Sequence, residues 1–251
     1  MLIDTHAHLL KSEYDNIDEV IRNCEKNNTI VITNAYSYES SLEVVDIVKK
    51  HKNFYGAVGI HPNNIDDIAN CKKLELILNE KKIVAIGEIG LDYHWNNDDE
   101  TKRKQKEFFL YQLKLASRHN KPVIIHSRDA INDVYKMVSK YNLKGVIHSY
   151  SGSLLMAKKF IDLGFFIGIG GVVTFKNAKN IIEVIKNIDL NNIVIETDSP
   201  YLTPEPFRGQ KNYPYYVKYI IEKISEIKEI SYAEVVEKTN RNAMLLFDLK
   251  A

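Results

Sequence analysis

The chain has 251 residues, and 34 lysines and arginines nearly balance 33 aspartates and glutamates, for a formal charge of +1. Near-neutrality excludes a global electrostatic pull toward nucleic acid or anionic membrane, so any nucleic-acid contact must rest on a local basic rim. A chain of this length buries a large core without staples, and barrels of this size are routinely one domain, so a single domain over residues 1–251 is expected.

Short β-rich apolar runs alternate with longer segments of helical spacing. MLIDTH is followed by the helical IDEVIRNCEK, TIVITNAY by SSLEVVDIVKKH, and FYGAVGIH by LELILNEK. KIVAIGEIG precedes KRKQKEFFLYQLKLASRH, PVIIHS precedes DVYKMVSKY, and KGVIHSY precedes SLLMAKKFIDLG. FFIGIGG and NIIEVIKNI come next, and NIVIETD is the last apolar run before PYYVKYIIEKISEI and YAEVVEKTNRNAMLLF. Strands alternating with helices imply parallel βαβ units, and eight of them in about 250 residues have the size of a (β/α)8 TIM barrel. An α/β fold of that class is expected. A doubly wound open sheet is the alternative, weakened by the absence of GxGxxG after the first run.

Polar residues with metal-binding chemistry gather at the C-terminal sides of these runs. His6 and His8 end the first, His61 the third, Glu88 the fourth, His126 the fifth, His148 the sixth and Asp198 the eighth. In a (β/α)8 barrel those ends meet around one mouth. Buried histidines and carboxylates must be paired, hydrogen-bonded or bound to metal. Imidazole and carboxylate without thiolate suit zinc, manganese or iron, whereas magnesium prefers more oxygen. Four histidines and two carboxylates exceed what one four-coordinate ion with an open position can use, and fit a pair of ions. Glu88, with two oxygens and a central place in the series, is the expected bridge. Strand side chains alternate, so Asp4, His6 and His8 are expected on one face, as are Glu196 and Asp198. Asp4 and Glu196 are expected to orient the ligands.

The two cysteines, Cys24 and Cys71, lack zinc spacing and read as reduced structural thiols. No secretory pattern opens the chain, and the longest apolar run, FFIGIGGVV at 165–173, is too short for a bilayer. A cytoplasmic protein without membrane contact or an obligate protein partner is expected.

IDTHAHL, GIHP, GEIGLDY, HSRDA, HSYSG, ETDSPYL and PFRGQKNYP, in that order, together resemble the TatD family of metal-dependent deoxyribonucleases. The resemblance implies a TIM barrel holding two divalent ions (Mg, Mn or Zn). His6, His8 and Asp198 would hold the first, Glu88 would bridge, and His126 and His148 would complete the second. It also implies hydrolysis of DNA phosphodiesters, with single strands degraded from 3′ ends. The chain departs from the family's usual second histidine in GIHPH, which is Asn63 here, and from its usual Cys and Phe after the sixth-strand histidine, which are Ser149 and Tyr150.

Further roles follow from position. Glu88, Asp198 and His61 are the expected catalytic groups, Asp198 as proton acceptor and His61 toward the scissile phosphate. Arg128, Arg208, Lys211 and Asn63 are expected phosphate contacts, and Tyr93 and Trp95 are expected to stack on bases. A hydrolase of small esters, lactones or amides on the same centre is the first alternative, because fold does not fix substrate. A non-catalytic metal-binding scaffold is the second.

Overall fold

Each of the eight apolar runs becomes a strand. The computed structural model describes residues 1–65, 68–95 and 98–250. β1 (Leu2–Ala7), α1 (Ile17–Lys26), β2 (Thr29–Asn34), α2 (Tyr38–Lys50) and β3 (Phe54–Val58) open the chain. α3 (Ile68–Lys73), β4 (Ile83–Asp92), α4 (Asp99–His119) and β5 (Val123–Arg128) follow. Next come α5 (Ile131–Val138), β6 (Gly145–Ile147), α6 (Leu154–Asp162), β7 (Phe165–Ile169), α7 (Lys179–Asn187) and β8 (Ile193–Ile195). α8 (Val217–Lys228) and α9 (Tyr232–Phe247) end it. The strands stand in one sheet in sequence order, β1 to β8. This is the α/β (β/α)8 TIM-barrel class.

Local chemistry sets the boundaries. Ser37, Asp98, Ser153 and Ser231 cap α2, α4, α6 and α9 by accepting a backbone N–H from the first turn. Asn120 closes α4 in the left-handed conformation. All ten residues of β4 are buried, as a strand covered on both faces requires. The expected helix LELILNEK is not formed as such. Leu74, Ile77 and Leu78 still bury on one side, but i→i−3 turns at Ile77 and Glu80 replace the α ladder, and Leu76 is 78% exposed. The helical residues lie just upstream, in α3.

The chain forms two compact units, residues 34–148 and residues 1–33 with 149–251. Within the first, β3, β4, β5 and β6 pair in parallel. Within the second, β1 pairs with β2 and β7 with β8, and a parallel bridge joins Ala7 to Ser199 just beyond β8. No described helix is long and apolar enough to cross a membrane. Cys24 and Cys71 are buried and are not in disulfides.

Candidate metal centre

In the unit built from both chain ends, β1 is locked to the segment after β8. Asp198 N–H donates to His6 O at 2.8 Å, and His8 N–H donates to Ser199 O at 2.7 Å. This fixes the backbone of three predicted ligands. His6 Nε2 and His8 Nε2 lie 3.2 Å apart, and Asp198 Oδ1 lies 3.8 Å from the first and 3.5 Å from the second. Asp198 has φ 57°, outside strand geometry, so hydrogen bonds rather than alternation set its direction.

The two carboxylates expected behind the ligands are both buried. Asp4 accepts from Thr197 Oγ1 at 2.6 Å, Thr197 N–H at 2.9 Å and His6 N–H at 3.2 Å. Burial pushes the Asp4 carboxyl well above the usual range, against the pull of those bonds. Glu196 accepts the Ser149 N–H. Gly168 makes room for it: a Cβ there would sit 2.8 Å from both Glu196 oxygens.

In the unit of residues 34–148, Glu88 is the hub. Its Oε1 lies 2.8 Å from His126 Nδ1, 3.6 Å from His61 Nε2 and 3.8 Å from His148 Nε2. Glu88 and His126 lie inside β4 and β5 rather than at their ends, because both strands continue, to Asp92 and Arg128. The extension depends on Gly90, at φ 148°, where a Cβ would meet the His126 carbonyl oxygen at 2.0 Å. His61 Nδ1 accepts the Asn63 backbone N–H at 3.2 Å. A backbone N–H only donates, so the neutral His61 ring carries its proton on Nε2, toward Glu88.

Asp92 lies within GEIGLDY, where nothing in the sequence pattern sets it apart. Its Oδ2 meets His126 Nε2 at 3.1 Å, and its Oδ1 accepts the His94 N–H at 3.0 Å. Burial works to raise the Asp92 pKa, but those hydrogen bonds and the histidine charge outweigh it and hold it at about 2. For His126, burial works to lower the pKa, and the Asp92 and Glu88 carboxylates lift it to about 9. Tyr201, within ETDSPYL, is equally unmarked in the sequence. Its ring centroid is 6.0 Å from that of His8, its hydroxyl donates to Glu13 Oε2 at 2.9 Å, and it is 51% exposed.

Both clusters have ion-binding geometry. His6, His8 and Asp198 form one group, and His61, Glu88 and His126 another, with ligand atoms within 4.8 Å of one another in each. Ligands at ordinary metal–nitrogen and metal–oxygen distances stand about 3.0–3.5 Å apart, and the 2.8–3.8 Å separations here bracket that spacing. Two imidazole nitrogens converging with a carboxylate oxygen form a suitable donor set for a divalent ion.

A family model described as TatD related DNase matches residues 3–248. The chain belongs to this family. It is 41% identical to the metal-dependent hydrolase YabD of Bacillus subtilis strain 168, over 98% of this chain and 99% of that protein. It is 32% identical to the metal-dependent hydrolase YcfH of Escherichia coli K12, over 100% of this chain and 97% of that one. The crystal structure of the TatD homologue YjjV of E. coli K12 superposes with a TM-score of 0.91 at 28% identity, covering 99% of this chain and 98% of that one. The chain is a metal-dependent hydrolase of the TatD family.

The remaining residues expected to meet a substrate in this TatD-family chain fall into two sets. Arg128 lies over the Trp95 ring at 5.2 Å, with Trp95 66% exposed. Arg208 is exposed and lies over the Phe175 ring at 4.1 Å. Three others already have partners within the chain. Tyr93 donates its hydroxyl to Asp133 at 3.0 Å, and Lys102 and Lys106 lie over its ring. Lys211 Nζ donates to Glu13 O at 2.8 Å and lies over Tyr14. Asn63 Nδ2 stands 3.5 Å from Asp92 Oδ2.

Proposed function

We propose that this chain hydrolyses DNA phosphodiester bonds, shortening single strands from the 3′ end, with two divalent ions (Mg, Mn or Zn), one on each histidine–carboxylate cluster. Residues 1–251 act as one hydrolase domain in this reading, and the family model matches 3–248 of them. It is placed in the cytoplasm, with its thiols reduced and no obligate protein partner. The supporting observation is the pair of clusters, each with two imidazole nitrogens converging on a carboxylate, in a chain whose family is described as DNases.

Ions held there supply Lewis-acid polarisation of phosphoryl oxygens and a lowered pKa for water. The chain's own groups do the rest. Asp198 accepts the proton of the attacking water, and the P–O3′ bond breaks as the new P–O bond forms. In this reading His126 Nδ1 and His148 Nε2 are the nitrogens on the Glu88 ion, and His61 is not a ligand: it keeps its proton on Nε2 and gives it to the departing 3′ oxygen. Arg128 and Arg208 have planar donors suited to phosphate oxygens. Trp95, exposed and flanked by Arg128, offers a face for an unpaired base.

The test is digestion of a 5′-labelled single-stranded oligonucleotide with Mg²⁺ or Mn²⁺. A ladder shortening from the 3′ end, abolished by EDTA and by Glu88→Ala, supports the reading. Turnover of aryl esters or lactones by a metal-loaded protein that leaves DNA intact overturns it.

A further inference from the structure

The second cluster holds a buried carboxylate that the ligand set does not use. Asp92 is the last residue of β4 and is 1% exposed. Leaving a carboxylate in such a place is costly unless its oxygens are engaged. Here both are. Oδ2 meets His126 Nε2 at 3.1 Å, and Oδ1 takes the His94 N–H at 3.0 Å.

Two features separate Asp92 from a ligand. It contacts the ring nitrogen of His126 opposite the one that faces Glu88, which is Nδ1 at 2.8 Å. Asp92 is also anchored from outside the cluster. Gln105, buried on α4, accepts the Asp92 N–H at 2.9 Å and donates to the Asp92 carbonyl at 2.7 Å. One side-chain amide thus holds both backbone groups of Asp92, so the carboxylate is a fixed point against which the imidazole must orient.

We infer that Asp92 is a positioning residue that accepts a hydrogen bond from the Nε2–H of His126, fixes the ring plane and leaves Nδ1 to present its lone pair beside Glu88. The inference rests on the reading of the Glu88 cluster as an ion site. Donation of the far N–H of a ligating histidine to a carboxylate fixes the tautomer and raises ligand basicity, and losing such a partner weakens metal binding about 10–100-fold. Asp92 contacts no reacting atom in this arrangement. It acts through His126.

The test uses the full chain with Mn²⁺ or Zn²⁺ alone, so a failure of the DNA reading leaves its readouts standing. Calorimetric Mn²⁺ titration should show one of two sites weakened about 10–100-fold in Asp92→Asn, with the other unmoved. Asp92→Glu, which keeps the charged carboxylate that Asp92→Asn replaces with a neutral amide, should recover part of that loss. In the Zn²⁺-loaded wild type, nitrogen-15 spectra of labelled histidine should show His126 protonated at Nε2 and ligating through Nδ1. This measurement needs no variant to fold. Wild-type affinity at both sites in a folded Asp92→Asn protein, or a His126 that ligates through Nε2, overturns the inference.

Discussion

Gln112 accepts the Ile60 N–H at 2.7 Å and donates to the Ile60 carbonyl at 3.0 Å, tying α4 to the residue before His61. Both atoms of this side-chain amide are spent on strand-end backbone. Gln112→Leu keeps the bulk and strands two buried backbone groups, each worth about 1–3 kcal/mol. A loss of about 3 kcal/mol is expected in urea unfolding. Hydrolytic activity should fall as well, because His61 loses its anchored neighbour. A variant with an unchanged unfolding midpoint contradicts this account.

Gly90→Ala should be the more severe change. The φ of 148° is one that side-chain-bearing residues rarely adopt, and the new Cβ would overlap the His126 carbonyl oxygen. Overpacking and backbone strain together should cost about 3 kcal/mol or more. Soluble yield and the urea midpoint report it. Near-normal stability would mean that β4 and β5 can separate at this point.

His8→Ala should leave the second cluster's ligands in place and remove one ion from the protein. Elemental analysis after dialysis should read one equivalent of metal where the wild type reads two. Retention of two equivalents would show that His8 is not a ligand.

Trp95→Ala separates base contacts from phosphate chemistry. Stacking on an aromatic face is worth about 1–3 kcal/mol per base, so KM for a single-stranded oligonucleotide should rise about tenfold. Hydrolysis of bis(p-nitrophenyl) phosphate, which has no base, should stay within about twofold. Equal effects on both substrates would place Trp95 in the support of the site.

Much of this arrangement is legible in the sequence because strand burial and ligand chemistry leave strong marks. IDEVIRNCEK and YAEVVEKTNRNAMLLF match α1 and α9 residue for residue. His6, His8 and Asp198 are among the polar strand-end residues expected at one mouth, their grouping on one ion is what the family resemblance implies, and the three do lie together. The limits have physical causes. A strand that runs past its functional residue hides where it ends, so Glu88 and His126 were expected at the ends of strands that continue to Asp92 and Arg128. The continuation depends on Gly90, whose unusual φ the residue's name permits but does not announce. Asp92 is overlooked because an aspartate after a strand also reads as a turn former, and only its contact with His126 distinguishes the two. His61 reads as standing apart from the ions but at the same mouth, and its Nε2 lies 3.6 Å from Glu88 Oε1. Lys211 and Tyr93 read as free contacts for substrate until their partners within the chain are seen.

Gln105 and Gln112 stand seven residues apart on α4, almost two helical turns, and each grips the backbone of a different strand end. Inserting one residue between them would turn the second amide by about 100° and lift it off Ile60. The helix therefore works as a gauge block, and its length between these residues cannot drift as a loop's can. Comparing tolerated insertions inside residues 105–112 with insertions elsewhere on α4 would show how much of the site's accuracy is stored outside the site.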